Sequence, residues 1–240
     1  MRLDRYLAEV GLGSRTEVKN LLKKGLIQVN GQVEKSPKRQ VGEEDQLVYQ
    51  GQVLHYQEFV YFMMNKPAGV LSATKDAKEK TVLDLLDQSD WRKDLFPVGR
   101  LDKDTEGLLL LTNNGQLSHA LLSPKRHVTK LYRALVNGEM NSEDQKRFAE
   151  GIQFKEFRSQ PAELEIVHSS PEKSEVLIRI QEGKFHQVKR MVAACGKEVT
   201  YLERLAMGPL QLDVTLKKGA YRPLSEDEIA DLEATLHQGS

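Results

Sequence analysis

An α+β protein in two parts is what this 240-residue sequence predicts. Three observations predict it. Residues 1–56 alternate two helical patterns with a tight hairpin, a small unit with a core of its own. The texture changes near residue 57 to short alternating strand patterns with helices interspersed. Those strands and helices do not alternate strictly, so the 57–240 part reads as a mixed, largely antiparallel sheet with helices packed on it.

Leu3, Leu7 and Val10 recur at helical spacing, and Gly11 and Gly13 break the pattern. Ser14-Arg15-Thr16-Glu17 is a capping box that opens a second helix carrying Val18, Leu21 and Leu22, with Gly25 as its stop. Ile27 and Val29 form a strand, Asn30-Gly31 a hairpin turn, Val33 the return, and 47–49 a further strand. Beyond 57, strands are expected at 60–64, 108–112, 131–136, 162–167, 176–180, 199–205 and 210–214. Short helices are expected at 81–86 and 143–150. A third carries Val188, Met191, Val192 and Cys195 on one face and ends at Gly196. Asn65-Lys66-Pro67-Ala68-Gly69 and Asn113-Asn114-Gly115 read as turns. Ser225-Glu226-Asp227-Glu228 is a second capping box before a C-terminal helix, and Gly239-Ser240 reads as a tail.

Composition narrows the function classes. One cysteine, Cys195, forbids an internal disulfide and any cysteine metal cluster. No apolar run approaches the roughly 20 residues of a membrane span, and the N-terminus lacks the pattern of a signal peptide. A cytoplasmic protein without membrane partners is expected. Net charge is zero, yet residues 1–40 hold nine Lys/Arg against four Asp/Glu, leaving 26 against 31 in the remainder. A basic N-terminal piece of this kind suits an anionic partner.

Arg15, Lys19 and Lys23 fall on one arc of the second helix with no acid between them, and Arg2 and Arg5 add to the same small module. A solvated helix face would look the same. Phosphates of folded RNA would meet such a surface equally well. The run 1–33, with Gly13-Ser14-Arg15 and Gly25-Leu26-Ile27-Gln28-Val29-Asn30-Gly31, resembles the S4 RNA-binding domain. That family often has a second arginine where this chain has Thr16. The resemblance implies structured RNA as partner and Arg2, Arg5, Arg15, Lys19 and Lys23 as RNA-binding residues.

Three carboxylates, Asp102, Asp104 and Glu106, stand beside Arg100 and Lys103 in a turn entering a buried strand. Loops before core strands are common places for functional groups. The spacing admits a metal site, an acid–base pair or plain turn chemistry, and periodicity does not choose. No histidine stands within ten residues and no calcium-loop ladder is present, so no metal is expected. The segment Gly99-Arg100-Leu101-Asp102-Lys103-Asp104-Thr105-Glu106-Gly107-Leu108-Leu109-Leu110 resembles the signature of pseudouridine synthases. Asn65-Lys66-Pro67-Ala68-Gly69, Lys130-Leu131-Tyr132 and residues 183–191, Gly-Lys-Phe-His-Gln-Val-Lys-Arg-Met, agree in the family's order, so the resemblance spans essentially the whole chain.

The resemblance implies an S4-like domain over 1–56 and a catalytic domain over 57–240. Asp102 would be the catalytic carboxylate. Tyr132 would stack on the target base, Arg100 would contact the flipped nucleotide, and Lys189 would pair with Asp102. An opposite charge there would favour the carboxylate, the only form able to act as nucleophile or base. The reaction rearranges one nucleotide, so no cofactor is expected. Without the resemblance, Tyr132 reads as a core tyrosine, and His186, Lys189 and Arg190 as the wet face of an amphipathic helix. Lys125, Arg126, Lys130 and Arg133, with no acid among residues 123–133, suggest a phosphate-facing strand and loop.

The form His186-Gln187-Val188-Lys189-Arg190-Met191 behind an S4-like domain is most similar, within the bacterial rRNA pseudouridine synthases of the RsuA family, to the enzymes of small-subunit 16S rRNA. The expected partner is ribosomal RNA or a small-subunit assembly intermediate, met by a monomer. Thr105-Glu106-Gly107-Leu108 and Ala206-Met207-Gly208 resemble some 23S enzymes. A non-catalytic S4-type assembly factor and a carboxylate-dependent glycosidase or lyase are the rivals from other classes. The first predicts a dispensable Asp102; the second predicts a partner carboxylic acid across the cleft.

Overall fold

The computed structural model describes residues 1–42, 44–54 and 58–237, and the chain forms two compact units, Met1–Phe59 and the remainder from Val60. The boundary expected after residue 56, like Gly239 and Ser240, lies outside the described residues.

In the N-terminal unit, helices α1 (Leu3–Glu9) and α2 (Arg15–Lys23) pack with strands β1 (Ile27–Val29), β2 (Gln32–Val33), β3 (Leu47–Tyr49) and β4 (Gln52–Leu54). The four strands form an antiparallel sheet in the order β2-β1-β3-β4. The capping box at α2 is present: the Ser14 N–H donates to Glu17 Oε2 at 2.7 Å and the Glu17 N–H to Ser14 Oγ at 3.4 Å. Leu3, Leu7, Val18, Leu22, Ile27 and Leu47 are fully buried and hold the unit together. Asn30 and Gly31 both take left-handed backbone, as the predicted hairpin turn requires. Gln50-Gly51 makes the same turn into β4. That strand escaped the sequence reading because Gln is an uncommon residue for the position.

The larger unit holds β5 (Tyr61–Lys66), β6 (Phe96–Pro97), β7 (Glu106–Thr112), β8 (Lys130–Asn137), β9 (Glu163–Ser169), β10 (Lys173–Ile180), β11 (Glu198–Met207), β12 (Leu210–Gln211) and β13 (Tyr221–Pro223). Its helices are α3 (Gly115–Leu122), α4 (Ser142–Glu150), α5 (Gln187–Ala194) and α6 (Glu226–His237). The sheet runs β13-β5-β7-β11-β8-β10-β9, with β12 on β11 and β6 on β7. All these pairings are antiparallel except β7 with β11, so the mixed, largely antiparallel sheet is as expected.

Both faces of the central strands are covered. Phe62, Met64, Leu109 and Leu111 join Phe148 of α4 and Val188, Met191 and Val192 of α5 in one core. Their alternate neighbours Tyr61, Met63, Leu108 and Leu110 join Leu117 and Leu121 of α3 and Leu232 of α6 in a second. Leu108 to Leu111 is therefore a continuous apolar run rather than an alternating one.

Several expected elements differ. Asn113-Asn114-Gly115 is not only a turn: Asn114 Oδ1 accepts from the Leu117 N–H at 3.0 Å and caps α3. The 81–86 helix is a 3-10 turn, Val82–Leu85. The 210–214 strand stops at Gln211, and Val214 is almost fully exposed. β5 continues through Asn65 and Lys66, because these pair with Leu108 and Gly107 of β7. The parallel β7–β11 contact needs Gly107. Its φ is +98° and an added Cβ would lie 2.3 Å from the Arg204 carbonyl oxygen, so no other residue fits without moving a strand.

Candidate active site

The segment that enters β7 is held by two side chains, Lys66 and Ser72, acting on its main-chain atoms. The Lys66 side chain is fully buried, and its ammonium donates to the carbonyls of Pro67 at 3.0 Å, Asp102 at 3.1 Å, Lys103 at 3.3 Å and Thr105 at 2.8 Å. Burial pushes this lysine down to about 8, against the pull of Asp104, Glu106 and Asp102. Ser72 Oγ clamps both sides of Leu101, donating to its carbonyl at 3.0 Å and accepting from its N–H at 3.1 Å. The Leu101 side chain is buried in the core, which turns Arg100 and Asp102 outward.

The three carboxylates that spacing could not separate have three different surroundings. Asp102 is half-buried at a narrow cleft of about 70 Å³, shared with Arg100, Thr105, Tyr132, His186 and Lys189. Lys189 Nζ lies 3.1 Å from Asp102 Oδ2 and 2.7 Å from Asp104 Oδ1. Burial works to lower the Lys189 pKa, but the hydrogen bonds to Asp104 and Asp102 outweigh it and leave it raised. The same hydrogen bond from Lys189 holds Asp104 below the usual carboxylate range, although Asp104 faces solvent. Glu106 turns elsewhere, accepting from the Tyr201 hydroxyl at 2.8 Å and pairing with Lys218. A bridging cation therefore joins Asp102 and Asp104, and Glu106 belongs to a separate cluster.

Of the residues expected from sequence, Asp102, Arg100, Tyr132 and Lys189 all line this one cleft. Arg100 is exposed and forms no ion pair among the described residues. Tyr132 is buried on β8, its ring among the core residues that back α5. His186 departs from expectation. It precedes α5 rather than lying on it, with left-handed backbone at φ 50°, ψ 32°. Such a conformation costs a non-glycine residue about 1 kcal/mol and tends to persist where surrounding contacts impose it. Here the buried Gln187 imposes it: its Nε2 donates to Glu182 Oε1 at 2.7 Å, and its Oε1 accepts from the Lys184 N–H at 3.0 Å. His186 Nε2 is thereby set 3.4 Å from Asp102 Oδ1. Lys66, Ser72, Asp104 and His186 were missed as site residues. The sequence marked three of them without giving them a role, Lys66 in the Asn65-Lys66-Pro67 segment, Asp104 in the 99–110 signature and His186 in the 183–191 segment, and nothing marked Ser72.

The phosphate-facing strand and loop expected at 123–133 is built only in part: Lys125 is exposed and forms no ion pair among the described residues, but the other three cations are engaged. Arg133 pairs with Glu175 at 2.6 Å, and Arg126 donates to the Leu236 carbonyl at 3.0 Å. Lys130 is 6% exposed and donates to the Val128 carbonyl at 2.9 Å. Burial, aided by the charge of Arg204, pushes Lys130 down from 10.5 to about 8. Because the folded value lies below the unfolded one, carrying the proton costs the folded state. That cost is full below about pH 8 and fades as pH rises toward 10.5. Lys130→Met is expected to gain on the order of 1–3 kcal/mol in urea unfolding at pH 7 and to lose that gain by about pH 10. An advantage equal at both pH values would show that charge burial is not its source.

In the N-terminal unit, Arg2, Arg5, Arg15 and Lys19 surround one hollow of about 420 Å³ with Met1 and Asp4. Arg2 forks onto Asp4 at 3.0 and 2.8 Å, which holds Asp4 below the usual carboxylate range, and Arg5 pairs with Glu9 at 2.7 Å. Arg15 and Lys19 are exposed and form no ion pair among the described residues. Lys23 is exposed farther along α2 and does not line the hollow.

No group of three His, Cys, Asp or Glu side chains among the described residues is placed to hold a metal ion, and no described helix is long and apolar enough to cross a membrane.

Comparison with known proteins gives the chain's relatives. Residues 60–194 match the family described as RNA pseudouridylate synthase, and residues 1–47 match the S4 domain. The chain is 47% identical over 231 residues to the uncharacterised RNA pseudouridine synthase YtzG of Bacillus subtilis, covering 95% of this chain and 97% of that one. It is 40% identical over 234 residues to the ribosomal small subunit pseudouridine synthase A of Vibrio cholerae, covering 97% and 99%. A crystal structure of a pseudouridylate synthase superposes with a TM-score of 0.68 at 35% identity, covering 97% of this chain and 99% of that chain.

Proposed function

The chain belongs to the RNA pseudouridylate synthase family, and from that premise we propose that it converts a uridine of small-subunit 16S ribosomal RNA to pseudouridine, with Asp102 as the acting carboxylate. The Lys189–Asp102 pair at the mouth of a cleft backed by Tyr132 carries this reading. The ribosomal target is supported by likeness, over nearly its whole length, to a relative named for the small subunit.

The reaction breaks the N1–C1′ bond of uridine, turns the uracil and forms a C5–C1′ bond; C5 gives up its hydrogen as a proton to solvent and the freed N1 takes one up, so the product is an isomer. The target must first leave its stack, at a cost of a few kcal/mol. Asp102 Oδ faces the ribose, where a carboxylate can attack C1′ or take a ribose proton; both roles need an unprotonated oxygen aimed into the cleft. Lys189 holds that carboxylate in place against Asp104, so the aspartate does not swing out to solvent. Tyr132 offers a ring to the flipped base, and Arg100 a cation to its phosphate. The basic hollow of the N-terminal unit adds phosphate contacts that supply affinity rather than sequence reading. The protein acts as a cytoplasmic monomer on 16S RNA or a small-subunit assembly intermediate.

The test is a map of pseudouridines in ribosomal RNA from cells with and without the gene. One 16S pseudouridine is expected to vanish on deletion and return with the unaltered gene. Loss of a 23S pseudouridine with the 16S pattern intact would overturn the assignment.

A further inference from the structure

We propose that Phe185 is a stacking platform for a base next to the target nucleotide, taking up the neighbour that is unstacked when the target swings out. The inference rests on the reading of the cleft given above.

Phe185 is 76% exposed, against 50% for Trp91 and 37% for Phe59. A phenylalanine this open adds nothing to the core of its own chain. Yet it is not loosely hung. Its ring lies on the His186 ring with centroids 3.7 Å apart and planes within 19°. His186 Nε2 in turn sits 3.4 Å from Asp102 Oδ1. A two-ring stack thus begins at the carboxylate and ends in solvent. The left-handed backbone at His186 and the Gln187–Glu182 clamp hold it there.

The charges around the stack favour a nucleic-acid occupant. The Lys184 ammonium sits 3.6 Å above the Phe157 ring, and the Arg190 guanidinium 4.7 Å above Phe154. Glu156 takes part of the Arg190 charge at 2.6 Å, and Glu182 lies 3.6 Å from Lys184. With Lys189 and Arg100 beside them, these cations leave the open aromatic face set among groups suited to phosphates. Every base has a face that can stack, so such a platform accepts the neighbour whatever its sequence. Removing the target from its stack costs the contacts of the bases on either side, and an aromatic ring beside the cleft returns part of that loss.

The experiment measures tritium release from a 16S rRNA transcript labelled with 5-tritiated uridine, using the full chain and Phe185→Ala, Phe185→Leu and Phe185→Trp. Filter binding of the same RNA and thermal melts are run alongside. Phe185→Ala and Phe185→Leu are expected to raise KM about tenfold with unchanged melting, and Phe185→Trp to stay near the unaltered protein. An unchanged KM in Phe185→Ala overturns the proposal. Full activity in Phe185→Leu also overturns it, because an apolar contact would then suffice where stacking is claimed. If the unaltered protein binds the transcript, free or assembled with small-subunit proteins, but releases tritium from neither, the 16S reading falls and takes this proposal with it. Release by the unaltered protein at a KM shared by Phe185→Ala sinks the platform alone.

Discussion

Asp102→Asn is expected to lower tritium release from 16S RNA by on the order of 10⁴-fold or more, with RNA binding retained. The amide matches the carboxylate in shape but can neither attack carbon nor accept a proton at neutral pH. The segment that presents it does not depend on the carboxylate for its path. Lys66 and Ser72 hold that segment through main-chain atoms of Leu101, Asp102, Lys103 and Thr105. Lys189 also keeps Asp104 at 2.7 Å when Asp102 loses its charge. The basic hollow lies in the N-terminal unit and is untouched. Release rates together with filter binding separate the two effects. Activity within tenfold of the unaltered protein would remove Asp102 from the chemistry.

Lys66→Met is expected to do comparable harm by another route. Four carbonyl oxygens converge on one buried ammonium, and methionine offers none of them a donor. Buried acceptors left without partners each cost on the order of 1–3 kcal/mol, partly relieved where water can enter. Removing the buried charge returns part of this, as at Lys130, and four orphaned acceptors outweigh it, so a net loss on the order of 2 kcal/mol or more in urea unfolding at pH 7 is expected. Below the unfolding transition, the folded fraction is expected to turn over RNA at least about tenfold more slowly, since small displacements of positioned groups cost catalysis heavily. Folded Lys66→Met with normal turnover would show that the clamp serves stability alone.

Much of the architecture was legible in the sequence because local chemistry decides it. Ser14 with Glu17, and Ser225 with Glu228, mark helix starts by satisfying backbone donors within one turn. Asn30-Gly31 marks a hairpin for an equally local reason. Where the chain departs from expectation, distant partners decide. Lys66 looked like part of a turn, but pairing with Gly107 makes it the last residue of a strand. Arg133 and Lys130 looked like phosphate ligands until β10 supplied Glu175 and the fold buried the lysine.

At the candidate site the division is sharper. The order of residues by itself determined a two-part α+β chain and, through the Gly99–Leu110 signature, singled out Asp102 from its neighbours. Only the tertiary structure decided what surrounds it. Lys189 is 87 residues away along the chain, reaches Asp104 as well as Asp102, and ties the two together. His186 arrives through a left-handed turn that no periodicity describes, and Lys66 supports the segment from a strand 36 residues earlier. The physical reason is common to all three. Hydrogen bonds and ion pairs act over about 3 Å in space, and sequence spacing records such distances only within a single turn of helix or a single hairpin.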